Sequence, residues 1–190
     1  MQLSVIILNY NVRYFLELCL KSVTEAIVDF NAEIIVVDNF SNDDSCRMVK
    51  ELFPEVILIQ NKENYGFSKG NNIGVARAKG KYVCLLNPDT VVAEDTFKIL
   101  LDFAESMPRI GILGCKLIDG TGRFLPESKR NVPTPLISIK KILGNSKPYY
   151  AHHLSEDEIG EVSVLVGAFM ILKRSIYNEI NGFDEDYFMY

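Results

Sequence analysis

The first half of the chain alternates between two hydrophobic patterns. Continuous apolar runs at 5–8, 33–38, 56–59, 82–86 and 110–118 are typical of strands buried on both faces. Apolar residues recur at helical spacing over 12–28, 66–79 and 94–106, and a further short helix follows Ser41 and Asn42, which are suited to capping its start. This alternation predicts an α/β fold, a doubly wound, mostly parallel sheet with helices on both faces.

The pattern changes after Asp119. Residues 126–160 combine prolines with charged side chains, and only 137–143 has the spacing of a short helix. We expect this stretch to be a mobile excursion, after which an apolar run at 162–172 returns to the sheet. The predicted organisation is a single domain, 1–190, with one half at 1–118 and the other at 119–190.

Composition narrows the functional classes. The 190 residues include 25 acidic and 20 basic side chains, for a net charge of −5, and show no basic stripe, so nucleic acid is not expected as a partner. Cys19, Cys46, Cys84 and Cys115 form no CxxC pair and are expected to be reduced and buried, the last two in core strands. No apolar run approaches the ~20 residues of a membrane span. The start, MQLSVIILNYN, has the pattern of a first strand and not of a signal peptide.

Polar side chains follow each of the first four predicted strands. The carboxyl ends of parallel strands lie at one edge of the sheet, where ligands bind in doubly wound folds. We therefore expect a polar ligand at this edge. The candidate residues are Asn9, Tyr10 and Asn11 after the first strand, Asp38, Asn39 and Ser41 after the second, Asn61, Asn64, Tyr65 and Gly66 after the third, and Asn87 and Asp89 after the fourth.

The segment LLNPDT admits two interpretations. Asn87 and Asp89 are two residues apart on an extended segment, so their side chains point to the same side, and Pro88 stiffens the backbone between them. Oxygen ligands of this kind suit Mg²⁺ or Mn²⁺, with a diphosphate completing the coordination. Alternatively, Asp89 caps the next helix or begins a turn.

Asp38 also admits two interpretations, and the segment NYGFSKGNNIG, rich in glycine and asparagine, is a candidate ligand-binding loop. Asp38 either begins an Asx turn or accepts a hydrogen bond from the imide N–H of a uracil or thymine base. Gly66 and Gly70 allow close approach of a ligand, and Asn71 and Asn72 offer amides near a helix start, where phosphate is favoured. The segment matches neither the GxGxxG fingerprint nor the P-loop.

The chain resembles family 2 glycosyltransferases of the GT-A fold in five segments, SVIILNYN, IIVVDNFSND, NYGFSKGNNIG, LLNPDT, and VGAFMILKR with NGFDEDYFMY. LLNPDT and NYGFSKGNN are most similar to a rhamnosyltransferase-like branch that acts on bacterial surface polysaccharides. The resemblance implies inverting transfer of a sugar, such as rhamnose, from a nucleoside diphosphate sugar to a glycan or lipid-linked glycan acceptor. It also implies a cytoplasmic location, at the inner face of the membrane if the full-length protein associates with it peripherally, and it is compatible with a homodimer.

The resemblance assigns roles to both halves and to single residues. It implies that 1–118 binds the nucleotide sugar and that 119–190 faces the acceptor. Asp89 would hold Mg²⁺ or Mn²⁺ together with the diphosphate. Because Asn87 is an amide where the family has an acidic residue, the cation is expected to arrive mainly with the nucleotide sugar. The implied nucleotide and sugar contacts are Asn9, Tyr10, Asp38, Asn39, Asn64, Gly66, Asn71, Asn72 and Asn87.

A second departure concerns the general base. In the family, a segment like GFDEDYFMY precedes an acidic pair whose aspartate is the base, whereas this sequence ends at Tyr190. We therefore expect part of a longer protein, with the base beyond Tyr190, Asp184 structural or acceptor-facing, and nucleotide binding with little transfer. Two alternatives stay open. One is a non-catalytic nucleotide-sugar-binding module, and the other is a phosphate-accepting, receiver-like signalling domain, which would need an acidic pair after the first strand.

Three other pairs of residues have two interpretations each. Tyr187 and Tyr190 either stack on an acceptor sugar or pack against the sheet. Lys129 and Arg130 either form a solvated pair or meet an anionic acceptor such as a lipid diphosphate. His152 and His153 are expected in a solvated loop, because adjacent rings diverge and make a poor metal site.

Overall fold

The computed structural model describes residues 1–132, 134–143, 149–151 and 153–189. The strands are β1 (Leu3–Asn9), β2 (Ala32–Asp38), β3 (Ile57–Gln60), β4 (Tyr82–Leu86), β5 (Ile112–Leu113), β6 (Lys129–Arg130), β7 (Val164–Leu165) and β8 (Phe169–Lys173). The helices are α1 (Arg13–Ala26), α2 (Ser45–Leu52), α3 (Gly66–Arg77), α4 (Thr96–Ser106), α5 (Pro135–Ile142) and α6 (Arg174–Glu179).

Six of the strands form one sheet in the order β3-β2-β1-β4-β8-β5. β1 runs parallel to β2 and β4, and β2 runs parallel to β3, whereas β5 and β8 are antiparallel. The register pairs Asn9 with Asp38 at the carboxyl ends of β1 and β2, and Asp38 with Gln60 of β3. The predicted mostly parallel α/β sheet is confirmed, and the polar residues after neighbouring strands emerge side by side.

The apolar runs form the core of this sheet. Val5, Ile6 and Ile7 of β1 are fully buried, as predicted for a strand covered on both faces. α3 comes close to β1 and β2 at Gly74, where a Cβ would overlap Ile6 Cγ2 and lie 3.0 Å from Val37 Cγ2. Glycine at this position therefore sets how closely the helix approaches the sheet.

The chain divides into two compact units. One comprises Met1–Leu113 with Ile171–Tyr190, and the other comprises Gly114–Met170. The first contains α1–α4, α6 and the parallel strands. The second contains α5 and a two-stranded antiparallel ladder of β6 and β7. The single domain divided at 118/119 stays a prediction.

Two predicted strands are shorter than expected. The run at 110–118 contributes only Ile112 and Leu113 to the sheet, because these two residues alone pair with β8 among the described residues. The run at 162–172 is interrupted at 166–168 and becomes β7 and β8. Cys115 therefore lies outside any strand and is half-buried, and all four cysteines are free thiols. An apolar run alone does not distinguish strand from packed loop.

Two helix ends also differ from the prediction. Ser41 and Asn42 do not cap α2, which begins at Ser45, and the Asp43 carboxylate accepts the Ser45 N–H instead. α3 ends at Arg77, ahead of Gly80, because Ala78 is already extended. Gly80 instead donates its N–H to Ser4 Oγ at 2.8 Å.

The described residues of the stretch 126–160 include short elements of regular structure. Among them are a 3-10 turn at Pro126–Ser128, β6 and α5, the last close to the predicted helix at 137–143. The predictions for His152 and Tyr190 lie outside the described residues, whereas His153 and Tyr187 are exposed. None of the helices in the described ranges is long and apolar enough to cross a membrane.

Candidate active site

The loops after β1 and β2 are joined by buried side-chain hydrogen bonds. Asn9 Nδ2 donates to Asp38 Oδ1 at 2.8 Å and to Ser41 Oγ at 3.1 Å. Asn11 adds two further hydrogen bonds between the same loops. Its N–H donates to Ser41 Oγ, and its Oδ1 accepts the Asn42 N–H. Asn11 has a φ of +54°, a left-handed conformation that asparagine tolerates better than most residues. The two loops are thereby held in one arrangement.

The Asp38 carboxylate fixes the loop after β2 through the N–H three residues on, and not two residues on as in an Asx turn. Its Oδ2 accepts the Ser41 N–H at 2.9 Å, and the residue is only 2% exposed. The carboxylate accepts bonds from Asn9 Nδ2 and the Ser41 N–H, and it also interacts with the Cys46 thiol, whose pKa is raised by burial first and then by Asp38. Asn9 Oδ1, also buried, has no hydrogen-bond partner among the described residues. The contact of Asp38 with a base stays a prediction.

Asn39 connects the loop after β2 to the loop after β3. Its Nδ2 donates to Asn64 Oδ1 at 3.1 Å and to the Gly66 carbonyl at 3.0 Å, and its Oδ1 accepts Asn61 Nδ2 at 2.8 Å. Asn64 Oδ1 also accepts the Gly66 N–H at 2.9 Å. Both donors of the Asn39 amide are therefore used to shape the protein.

The start of α3 is covered by the C-terminal segment. The Phe67 N–H donates to the Phe188 carbonyl at 2.7 Å. At Gly66, which has a φ of +77°, a Cβ would overlap the same carbonyl oxygen. The buried Asn71 donates Nδ2 to the Phe67 carbonyl. The first two N–H groups of this helix, at a start expected to favour phosphate, are thus bonded to the protein itself. The Phe67–Phe188 bond is a long-range contact that no local pattern reveals.

Asn72 holds the segment after α6 in place. Its Nδ2 donates to the Phe183 carbonyl and to Glu185 Oε1, both at 2.9 Å. Its Oδ1 accepts the Tyr177 hydroxyl at 2.5 Å and the Phe183 N–H at 3.0 Å. Burial raises the pKa of Tyr177 to about 12, so its hydroxyl remains a donor. Asp184 Oδ1 closes the next turn by accepting the Asp186 N–H.

The loop after β4 presents Asp89 to solvent. The Asn87 carbonyl accepts the Thr90 N–H at 3.2 Å and the Cys19 thiol at 3.7 Å, which closes a turn over Pro88 and Asp89. Burial, followed by the charge of Asp89, raises the pKa of Cys19 to about 12. None of the described residues hydrogen-bonds or ion-pairs with the Asp89 carboxylate. It does not cap α4, which begins at Thr96.

The donor set around Asp89 is too small for a metal site made by protein alone. In the part of the chain that the structure describes, no group of three or more His, Cys, Asp or Glu side chains is placed to hold a metal ion. One exposed carboxylate fits a cation only where a diphosphate and water supply the other oxygen ligands.

A shallow depression lies at the start of α1, lined by 11–15 and 42–44. The Arg13 guanidinium lies 4.7 Å from the centre of the Tyr14 ring in this region, and Tyr10 nearby in sequence is 46% exposed. Asn11, Ser41 and Asn61 were among the polar residues expected at this edge, but the family resemblance assigned a binding role to Tyr10 and none to these three. Their position at strand ends was visible, whereas their partners were not.

Comparison with known proteins decides the family. A family model described as Glycosyl transferase family 2 matches residues 4–180. The chain belongs to this family. The family 2 resemblance seen in the five motifs is confirmed, and the receiver-like alternative loses its support.

Two relatives indicate the range of this similarity. The minor teichoic acid biosynthesis protein GgaB of Bacillus subtilis (strain 168) is 33% identical over 125 residues, covering 63% of this chain and 14% of that protein. The N-acetylglucosaminyl-diphospho-decaprenol L-rhamnosyltransferase of Mycobacterium tuberculosis (strain CDC 1551 / Oshkosh) is 27% identical over 206 residues, covering 99% of this chain and 66% of that enzyme. The chain thus spans only part of these relatives.

Solved structures share the GT-A fold of this family 2 chain. TarS 1-349 of S. aureus in complex with UDP superimposes with a TM-score of 0.69 at 20% identity, over 98% of this chain and 51% of that one. The mannosyltransferase PcManGT from Pyrobaculum calidifontis, in complex with GDP-Man and Mn²⁺, has a TM-score of 0.69 at 21% identity, over 97% of this chain and 48% of that one. At this identity, the likeness supports the fold alone.

Proposed function

We propose that this family 2 domain transfers a sugar from a nucleoside diphosphate sugar to a hydroxyl group of a glycan or lipid-linked glycan. The observation that carries the proposal is the family match over 4–180, on a sheet whose parallel strands end at one polar edge. The relatives named for teichoic acid biosynthesis and for rhamnosyl transfer support a cell-surface acceptor, with rhamnose as a donor sugar. A cytoplasmic location and a homodimer stay predictions.

The exposed and buried polar residues have different parts in this proposal. Exposed groups beside the depression, Tyr10 and Asn11, contact the nucleotide directly. The buried side chains Asn9, Asp38 and Asn39 act mainly by fixing the loops, since they hydrogen-bond to residues of the neighbouring loops. Fixed loops reduce the free energy spent on ordering when the ligand binds.

Asp89, with Asn87 beside it, would hold Mg²⁺ or Mn²⁺ shared with the diphosphate. The exposed Asp89 carboxylate and its lack of a described partner support this assignment, and Mn²⁺ is present in the PcManGT complex. When bound, the cation would neutralise charge on the departing diphosphate. The Asn87 turn, closed by Thr90 and Cys19, keeps the carboxylate directed away from the core.

The stereochemical outcome proposed is inversion. The acceptor hydroxyl attacks the anomeric carbon in line with the departing diphosphate, so the new C–O bond forms on the opposite face as the old one breaks. A carboxylate base removes the hydroxyl proton. Asp184 is a poor candidate for that base, because its side chain closes a turn by accepting the Asp186 N–H.

Thermal-shift and calorimetric titration with UDP, dTDP and GDP sugars, with and without Mn²⁺, tests the proposal. We expect at least one of these ligands to raise the unfolding temperature, more so with Mn²⁺. Asp89→Ala should remove the Mn²⁺-dependent part, about tenfold or more in affinity for a lost charged metal ligand. The matched control is Asp95→Ala, an exposed aspartate whose side chain makes no capping bond.

The results separate enzyme from binding module. Nucleotide binding with release of free nucleotide in the presence of a polyprenyl-diphosphate glycan acceptor would support the transferase. Binding without turnover in the intact protein would favour a non-catalytic nucleotide-sugar module. The proposal would lose its basis if the folded wild-type protein and the Asp95→Ala control both failed to bind every one of these nucleotide sugars.

A further inference from the structure

Two side chains of α1 hydrogen-bond to the loop after β4, one at each end of the segment that carries Asp89. The Cys19 thiol donates to the Asn87 carbonyl at 3.7 Å, and Ser22 Oγ accepts the Val92 N–H at 3.2 Å. We call 87–92 the Asp89 loop. Because it lies between β4 and α4, neither a strand ladder nor a helix holds its backbone, and α1 supplies contacts at both of its ends.

Ser22 is suited to this contact because its hydroxyl is already oriented. Ser22 Oγ donates its hydrogen to the Cys19 carbonyl at 2.9 Å, so its lone pairs remain to accept the Val92 N–H. Ser22 and Val92 are each only 9% exposed, so water has little access to replace the bond. A buried N–H without an acceptor is costly, and the hydroxyl therefore holds this end of the Asp89 loop against α1.

α1 is a fixed support for both contacts. Leu16, Leu20 and Val23 are fully buried, as is Cys19 itself, and their spacing places them on one face of the helix. The helix cannot shift without disturbing this close packing. Cys19 and Ser22 therefore hold the Asp89 loop relative to the core, and not only relative to α1.

The position of the Asp89 carboxylate depends on this loop backbone. The side chain is exposed, and none of the described residues hydrogen-bonds or ion-pairs with it, so no side-chain partner directs it. Apolar packing alone would keep the loop near α1 without orienting its peptide groups, whereas hydrogen bonds are directional. A ligand of a cation has to be placed to within about 0.5 Å, which requires a backbone of fixed orientation.

We propose that Cys19 and Ser22 are positioning residues for Asp89. By holding both ends of the Asp89 loop, they place its carboxylate where a divalent cation shared with a diphosphate can be bound. This inference rests on the function proposed above, and neither residue contacts the cation or the nucleotide in it. A structural role alone would lower stability and leave the Mn²⁺ dependence of nucleotide binding unchanged.

Hydrogen exchange of the ligand-free chain tests whether the two residues fix the loop. The reporter is the Thr90 N–H, because its acceptor, the Asn87 carbonyl, remains in every variant. We expect Ser22→Ala to speed Thr90 exchange about tenfold or more, since the buried Val92 N–H loses its acceptor and the loop opens more often. Cys19→Ala should act in the same direction, and Cys19→Ser, which keeps a donor, should recover part of the protection.

Calorimetric titration with UDP, dTDP and GDP sugars, with and without Mn²⁺, tests whether the fixed loop serves Asp89. We expect Ser22→Ala to reduce the Mn²⁺-dependent gain in nucleotide affinity about tenfold, the effect typical of a residue that orients a metal ligand. The affinity without Mn²⁺ should stay near that of the wild type. Combined with Asp89→Ala, the substitution should not reduce the gain any further, because Ser22 acts through Asp89.

Two control variants separate positioning from a general loss of stability. Ser106→Ala removes the same kind of bond on α4, since Ser106 Oγ also donates to the carbonyl three residues earlier, that of Phe103. Gly74→Ala disturbs the packing of α3 in the same compact unit and leaves both contacts of the Asp89 loop in place. Both controls should keep the Thr90 exchange rate and the Mn²⁺ dependence of the wild type.

Circular dichroism identifies any variant that fails to fold. If Ser22→Ala does not fold, the pair Cys19→Ala and Cys19→Ser carries the test in its place. Unchanged Thr90 exchange in the alanine variants would overturn the proposal, and so would faster exchange with an undiminished Mn²⁺-dependent gain. Both results leave the proposed transfer intact, whereas wild-type protein without any Mn²⁺-dependent gain would count against the Asp89 cation itself and so against both proposals.

Discussion

The side-chain amide of Asn72 has two donor hydrogens and an acceptor oxygen with two lone pairs, and the protein uses all of them. The residue was assigned to the donor sugar on the basis of its motif. That assignment stays a prediction, and a ligand that bound the amide would have to displace a bond to Tyr177, Phe183 or Glu185.

We expect Asn72→Ala to destabilise the protein by about 1–3 kcal/mol, because it leaves the part-buried N–H and carbonyl of Phe183 without their partner. Tyr177→Phe removes one bond of the set and should cost about 0.5–1.5 kcal/mol. Urea unfolding measures both. Asn178→Ala on the exposed side of α6 is the control and should change the urea midpoint little. An Asn72→Ala midpoint equal to that of the control would contradict the role of Asn72 in holding the segment after α6.

The sequence predicted which strand-end residues lie close together, but it did not predict which side chains hydrogen-bond to each other. Asn9 and Asp38 meet because parallel neighbours end in register, which follows from the strand pattern alone. The Asn72–Glu185 bond joins residues 113 positions apart, and no periodicity encodes such a pair. Four strand ends with polar side chains thus located the edge of the sheet, while the division into ligand-facing and loop-fixing residues required coordinates.

At the scale of elements, the helices followed the sequence because a helix carries its own period. α1 and α4 lie inside the predicted ranges 12–28 and 94–106. β5 is shorter than the predicted strand at 110–118, because a strand exists only where another strand pairs with it. Among the described residues, Ile112 and Leu113 are the ones in this run that pair with β8. The predicted length at 110–118 reflected apolar content, which a packed loop shares.

The contact of α3 with the sheet gives a test at this scale. We expect Gly74→Ala to destabilise the protein by about 1–2 kcal/mol, because overpacking against the fully buried Ile6 exceeds the gain in helix propensity. Thermal unfolding should show a drop of a few degrees, at about 2–4 °C per kcal/mol for a chain of this size.

Gly111→Ala is the matched control, since a Cβ there meets no atom within 4 Å. It should leave the unfolding temperature unchanged or raise it slightly, because alanine restricts the unfolded chain. Equal effects of the two substitutions would show that close packing at Gly74 is not required.

At the scale of the whole molecule, several carboxylates have a pKa lowered by hydrogen bonds that the folded chain provides. Burial raises the pKa of Asp43, but hydrogen bonds from Ser45 and from the Arg13 N–H outweigh it and lower the pKa below its ordinary value. Hydrogen bonds from Thr121 and Lys81 lower the pKa of Asp119 and Glu105 in the same direction. A lowered folded-state pKa adds stability above the unfolded pKa, and this stability is lost as the pH falls.

We therefore expect the unfolding temperature to fall as the pH decreases from about 5 to about 3. Asp43→Asn should lower the unfolding temperature at neutral pH and reduce its pH dependence, because the amide keeps one acceptor but no longer titrates. Differential scanning calorimetry across this range measures both effects. Asp29→Asn, at an exposed position, is the control and should follow the wild-type curve; an identical curve for Asp43→Asn would remove Asp43 as a contributor.

The first unit is discontinuous along the chain, since Ile171–Tyr190 completes what Met1–Leu113 begins. Translation proceeds from the N-terminus, so β1, β2, β3 and β4 leave the ribosome well before β8 exists. During that interval, the edge of β4 that pairs with β8 in the folded chain lacks its partner strand, and Asn72 lacks Tyr177, Phe183 and Glu185. We therefore expect chaperone contact with the nascent chain to be concentrated on the β4 edge until β8 has left the ribosome.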